Sequence, residues 1–512
     1  MRKTKLHLAL TLALLPLMGN AYAASDIADA AMVHDFEKLE QLIAAGADVN
    51  EAQTSGGTAL HWAVQWGDPD AVDALITAGA DVDAATPLGA TPLYLASMIG
   101  HPEMIAKLLN AGADVQETVL ENEETVLMFA ARSNNVDSVK LLLDAGVPID
   151  AKEAYRGTTA LHWAAEEGHT AVVQLLLERG ANPNLRSDVK ITAGGFGPAQ
   201  PTGGVTPLIL ASREGALETA KALLAAEALI NQQSGGGHTP LLTAVQNGHA
   251  ELATLLLDHG ADPSLANDQG WTPLYLAVKG RTPEVGTMPN PDVTSDALFD
   301  LIELLLEKGA KVDARISANS EVRNAIRATW LEEDGGTAFL RAAMGGDLPV
   351  MELLLAHGAD PTVPTRDGTT ALMALAGVGF TNGFMEDFGG HEQSLEAMRL
   401  LLNLGLDVNA KNSDGTMALH GACHKNFVGA IQLLVDHGAD LTSRSFRRGT
   451  FERSKEFAGY TPLDWAQGVQ TGGESALYNP EASELMESIL TERGIPIERM
   501  SNTRGGRVVG SN

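Results

Sequence analysis

Nine times along the chain a short aliphatic run is followed, after one or two further positions, by glycine: LITAGADVD, LLNAGADV, LLLDAGVPID, LLLERGANPN, LLLDHGADPS, LLLEKGAKVD, LLLAHGADPT, LLNLGLDVN and LLVDHGADL. Leucines at i, i+1 and i+4 cover one buried face of a helix. The glycine takes the left-handed conformation that ends a helix at little steric cost. The Asp or Asn beyond it favours a turn. One stretch departs from the pattern: Leu223-Leu224-Ala225-Ala226-Glu227 sets Glu227 where the glycine belongs. A non-glycine residue in that geometry costs about 1 kcal/mol, so Glu227→Gly is expected to stabilise the chain.

A second, shorter apolar segment precedes each ending. In Gly157–Asn184, Thr159-Ala160-Leu161-His162 opens a short helix, Gly168-His169 turns the chain, and Val172–Glu178 forms the second helix before Gly180. The Thr position recurs at Thr58, Thr91, Thr125, Thr159, Thr206, Thr239, Thr272, Thr337, Thr370, Met417 and Thr461, at intervals of 33, 34, 34, 47, 33, 33, 65, 33, 47 and 44. Six of the ten lie within one residue of 33, and the other four are the same unit with insertions. A T-P-L-H-x-A opening at this period resembles the ankyrin repeat. The resemblance covers nearly all of the chain after residue 23. It implies an all-α, curved solenoid of stacked helix-turn-helix units, with short hairpin or finger loops beside a concave groove.

Residues 24–50 then read as an N-terminal capping unit, 51–494 as an array of about eleven units whose last is a C-terminal cap, and 495–512 as a flexible tail. The insertions fall in two classes. Leu185–Gly203, Ile316–Gly335 and Thr442–Ala458 lie between units, after every third repeat, on what the resemblance makes the finger side. Lys279–Ser295, Gly377–Gln393 and Gly468–Pro480 separate the two helices of a unit. Gly194–Pro198 and Gly379–Gly390 are glycine-rich, Ser320–Trp330 reads as a short extra helix, and Arg444, Arg447, Arg448, Arg453 and Lys455 make a basic island. Loops on a rigid scaffold commonly carry recognition, while harmless insertion at such sites is the equal alternative.

Residues 1–23 have the form of a secretory signal: Arg2, Lys3 and Lys5, an apolar run from Leu8 to Gly19 too short for a comfortable span, and Ala21-Tyr22-Ala23 as the cleavage site. An uncleaved anchor is the alternative. Cleavage after Ala23 leaves 65 acidic against 32 basic residues, a formal charge of −33. The expected compartment is the periplasm, with the extracellular space as the alternative, and no membrane insertion. Such acidity repels phosphate backbones and anionic lipids, which disfavours nucleic acid and points to a protein partner with a basic patch; keeping a long array soluble explains it equally well. Cys423 stands alone, so no disulfide forms within the chain.

No zinc motif, Walker A loop or G-x-S-x-G elbow is present, and no metal, cofactor or enzymatic activity is expected. Nine of the fourteen histidines fall on repeat positions. From the resemblance, His61, His162 and His420 tie repeats together through backbone hydrogen bonds. His101, His169 and His249 sit in the turn between helices, and His259, His357 and His437 precede the terminal glycine, where positive charge suits a helix C-terminus. Under an enzymatic reading His391-Glu392 is the leading pair. The family's variable groove positions map here onto Trp66, Met98, Ile99, Tyr155, Arg156, Arg213, Glu214, Gln246, Asn247, Asp268, Trp271, Arg366, His424 and Lys425. Trp66 and Trp271 are the leading anchors, with packing against a neighbouring loop as their alternative; Trp62 and Trp163 point inward. The expected function is an exported protein-binding scaffold, of the kind that protects, assembles or regulates an envelope enzyme. A secreted effector that binds a foreign protein, or a small-ligand or carbohydrate site in the insertions, are the alternatives.

Overall fold

A computed structural model describes residues 25–116, 122–192, 200–281, 294–317, 333–378, 390–446, 459–468 and 478–497. These form helix pairs in two compact units. The first unit opens with α1 (Asp26–Met32) and α2 (Phe36–Ala44), then α3 (Ala59–Trp66) and α4 (Pro69–Thr77). It continues with α5 (Pro92–Ile99), α6 (Pro102–Asn110), α7 (Val126–Arg132), α8 (Val136–Asp144), α9 (Ala160–Glu166) and α10 (Thr170–Glu178). A two-stranded hairpin of β1 (Val189–Thr192) and β2 (Gln200–Gly203) precedes α11 (Pro207–Glu214) and α12 (Leu217–Ala225). The second unit holds α13 (Pro240–Gln246), α14 (Ala250–Asp258), α15 (Pro273–Arg281), α16 (Ser295–Glu307), α17 (Ala338–Gly345) and α18 (Leu348–Ala356). It ends with α19 (Ala371–Ala376), α20 (Gly390–Asn403), α21 (Ala418–His424), α22 (Val428–Asp436), α23 (Pro462–Ala466) and α24 (Pro480–Glu492).

The repeated threonine is the N-cap of the first helix of its pair. Thr91, Thr206, Thr239, Thr272, Thr337 and Thr370 each accept, through Oγ1, the N–H three residues on, at 3.1–3.3 Å. This satisfies a donor that the helix itself leaves orphaned. Proline at N1, as in α5, α11 and α13, has no N–H to lose there. Within each unit consecutive first helices pack on one another and second helices do likewise, α3 on α1 and α5, and α4 on α2 and α6. Leu60, Leu93, Leu127 and Leu161 of the first helices, and Val72, Ile105, Val139 and Val173 of the second, are fully buried between neighbours.

The loops behind the second helices add polar ties. Asp48, Asp81 and Asp114 accept from the N–H two residues on, at 2.8–3.1 Å, and so set the turn. Asn50, Asp83 and Asp150 each accept the N–H of the next unit's loop, from Asp81, Asp114 and Asn182. Glu227 has φ +61° at the position where the other endings have glycine. A Cβ added at Gly180 or Gly260 would meet nothing within 4 Å, so backbone strain, not crowding, is the cost at Glu227.

The signal segment 1–23, the extra helix at 320–330, the glycine-rich stretches 194–198 and 379–389, the basic residues from Arg447 on, and the tail from 498 lie outside the described residues. Among the described residues no helix is long and apolar enough to cross a membrane.

Candidate functional site

The first helices of the first unit end in a row of side chains, one pair per repeat. Trp66 is 49% exposed, yet its ring is fixed: Nε1 donates to the Met32 carbonyl (3.2 Å), and His34 packs against it, tilted by 31° with centroids 5.4 Å apart. Phe36 meets His34 edge-on at 4.4 Å. Val33 (65% exposed) and Ile99 (37%) extend the row to either side, with Met98 half-buried. Further along, the row becomes ionic. Arg132 reaches Glu167 (3.4 Å), and Glu166 takes both Arg213 (2.7 Å) and Arg156 (3.5 Å); Arg213 also pairs with Glu214. Tyr155 is exposed at a finger tip, where Lys190 of β1 lies over its ring at 4.4 Å and donates to its carbonyl. That tip is held by Glu153, buried beneath it. Burial works against the Glu153 charge, but the hydroxyl and N–H of Thr158 and the N–H groups of Arg156 and Tyr155 overcome it and keep the carboxyl below its usual range.

An aromatic cluster joins α5, α7 and α9. Tyr94, Phe129 and Trp163 meet edge to face at 4.6 and 5.4 Å, and Arg132 covers the Trp163 ring at 5.7 Å. Trp62 and Trp163 are 7% and 8% exposed, inward as expected. Burial, with the Glu124 charge adding to it, lifts the Tyr94 hydroxyl to about 12. Burial likewise raises the Glu124 carboxyl, against the hydrogen bond from Asn122.

The second unit treats its corresponding residues differently. Trp271, expected as an exposed anchor, is instead 7% exposed. Asn267 Oδ1 gathers the N–H groups of Gln269 and Trp271 (3.0 Å each), and the ring packs near Tyr275, under Lys279 Nζ at 4.9 Å. Gln246, Asn247 and Asp268 are exposed, Asn247 also donating to the Thr243 carbonyl. Arg366 is exposed and pairs with Asp334 at 2.7 Å. His424 is half-buried, edge-on to Trp465 at 5.2 Å, and Lys425 lies over Phe427 at 5.4 Å. A buried ionic network that the repeat pattern did not announce runs beside Trp271. Tyr275 donates to Glu333 (2.6 Å), Glu333 faces Arg341 (3.7 Å), and Arg281 holds Asp347 (2.7 Å). Its one trace in the sequence is Arg341, the one charged residue in a slot where the other repeats carry Trp, Leu, Phe, Thr, Ala or Gly.

The histidines serve the fold. Nδ1 of His162 accepts the Thr159 N–H (3.2 Å) and Nε2 meets the Val205 carbonyl (3.1 Å), which requires the Nε2–H tautomer. His61 and His420 repeat the arrangement toward Ala90 and toward Ser443 and Tyr460. Burial lowers the imidazole pKa of His61, and lowers those of His162 and His420 to about 4. His259, His357 and His437 bond the carbonyl four residues back at 2.8–3.1 Å. His391 packs edge-on to Phe427 at 4.9 Å. Cys423 is fully buried, which pushes its thiol pKa up. Among the described residues no group of three or more His, Cys, Asp or Glu is placed to hold a metal ion.

Profiles described as ankyrin repeats (3 copies) match residues 27–119, 116–187 and 208–316; one for ankyrin repeats (many copies) matches 390–435, and one for a single ankyrin repeat matches 334–366. Similar curated proteins include an ankyrin repeat protein of fowlpox virus, 33% identical over 115 residues (19% of this chain, 26% of that protein). The NF-kappa-B inhibitor cactus of Drosophila melanogaster is 31% identical over 113 residues (19% and 23%). Ankyrin repeat and SOCS box protein 16 of Mus musculus is 37% identical over 120 (23% and 22%). The chain thus spans about a quarter of the length of these relatives. The crystal structure of the human ASB11 ankyrin repeat domain aligns at 26% identity and a TM-score of 0.40, over 47% of this chain and all of that one.

Proposed function

Because the chain belongs to the ankyrin-repeat family, whose three-copy profile alone matches more than half of it, we propose that it is an exported scaffold that holds a protein partner on its first unit. Ankyrin repeats mediate protein–protein interaction, and domains of this kind are typically not enzymes. The observation that carries the reading to this chain is the row of exposed side chains at the first-helix ends, with Trp66 held in place and half open to solvent. A large ring already fixed loses little conformational freedom when a partner covers it.

The form of residues 1–23 supports export, and the destination proposed is the periplasm. There the scaffold would protect, assemble or regulate an envelope enzyme. The test has two parts. The mass of the mature protein, recovered by osmotic shock, is expected to begin at Ala24; an intact N-terminus in the cytosolic fraction would refute export. Affinity capture of the mature chain from an envelope extract is expected to retain a stoichiometric protein, and retention of none would refute the scaffold.

A further inference from the structure

The N-terminal end of the first unit combines two features. Residues 24–110 carry thirteen acidic side chains and two basic ones. One of the bases, Lys107, is already committed to Asp73 and Glu103. Within this acidic end runs the apolar row of Val33, Trp66 and Ile99, with His34 packed against the indole. Asp35 and Asp68 start the helices that directly follow His34 and Gly67, so carboxylates border the row. The three row positions lie at the C-terminal ends of consecutive first helices, which pack at about 8–10 Å. Residues i, i+7 and i+14 of a partner helix recur about every 10.5 Å along one face, so an apolar ridge of that period meets the row.

We propose that this surface docks a basic amphipathic helix of a partner protein: apolar residues at i, i+7 and i+14 lie on Val33, Trp66 and Ile99, and flanking Lys or Arg face the acidic border. The assignment rests on the scaffold reading above and adds the site and the chemistry of what it takes. Two properties support this occupant. At contact the local charge is hardly screened, since a Debye length is about 8 Å at physiological salt, so an acidic or phosphate-bearing ligand is repelled. And the Trp66 ring, tied to Met32 and packed against His34, presents a preformed apolar surface of the kind that receives helix anchors.

The test is photo-cross-linking in the producing cell. Benzoylphenylalanine is placed at position 99 in the full-length chain, with position 404, where Leu404 is exposed in the second unit, as a second site. Adducts are mapped by mass spectrometry. The expected result is an adduct at 99 to a segment of net positive charge with apolar residues at seven-residue spacing. Its yield should fall at least about tenfold with Trp66→Ala, and comparably with Glu37→Lys/Asp70→Lys, a variant that leaves the aromatic row and the caps intact. An adduct at 99 to a neutral or acidic segment, insensitivity to both variants, or adducts from 404 alone would overturn the inference while leaving the scaffold reading in place. No adduct from either position would count against both.

Discussion

Acidification should loosen this protein through its buried histidines, one repeat at a time. His162 is fully buried, its Nδ1 already accepts an N–H, and its imidazole pKa is held down at about 4 by burial, with Lys152 and Arg156 opposing the charge further. Unfolded, the same ring has an ordinary value near 6.5. Above pH 6.5 both states are neutral and the site has no effect. Between 6.5 and 4 the unfolded chain takes up a proton that the folded chain refuses, so stability falls by about 1.4 kcal/mol per pH unit per site. From pH 7.5 to 5.0 the loss is about 2 kcal/mol, and it saturates at about 3 kcal/mol below pH 4. His420 contributes the same amount in the second unit, and His61 acts in the same direction. Urea unfolding followed at several pH values, for the native chain and for His162→Asn, isolates the site: the variant is expected to be less stable at pH 7.5 and to have a shallower pH slope. Hydrogen exchange of the α9 amides, corrected for intrinsic rate, should show the same difference locally. Equal slopes, or a His162 titration midpoint above 6 by NMR, would refute the argument.

Three further outcomes are expected. Glu227→Gly should stabilise by up to about 1 kcal/mol, less what added freedom in the unfolded chain takes back, as a rise in the urea midpoint; a fall would mean that the Glu side chain contributes more than its backbone strain costs. Asp347→Ala should destabilise by about 3–5 kcal/mol by leaving Arg281 buried without its carboxylate, whereas Arg281→Met/Asp347→Leu should lose only the α18 cap that Asp347 supplies, about 1 kcal/mol; calorimetry of both distinguishes the broken pair from the lost cap. Trp163→Ala should cost about 3–5 kcal/mol and Trp66→Ala under about 1, since one ring is core and the other half open; similar losses would show that Trp66 is structural.

What is legible in the sequence is what repeats locally. The threonine cap, the glycine stop and the slotted histidine act over three or four residues, so a short run of residues contains their whole cause; even the exception at Glu227 appears in the structure with the left-handed φ that its place requires. What is not legible depends on partners that an insertion has moved out of register. Tyr275 and Glu333 are 58 residues apart and Arg281 and Asp347 are 66, with an insertion between each pair, so no repeat position announces them. Trp271 departs from its expected exposure through local contacts instead: Asn267 accepts from the N–H groups of Gln269 and Trp271, and the ring packs near Tyr275 of α15.

The row on the first unit lies between these extremes. Met32 and Trp66 are 34 residues apart, one repeat, and stepping back one period from Trp66 leads to its neighbours Val33 and His34. What the period does not tell is that no ion pair closes over this row among the described residues. At the same helix ends two repeats later, Arg132, Glu166, Glu167 and Arg213 pair with one another across the repeats. Such exposed pairs contribute little to stability, but a partner must break or rearrange them to dock there. The apolar end asks no such rearrangement. That difference in desolvation, more than exposed area, is why the Trp66 end rather than the ionic end is the surface on which a partner should first be sought.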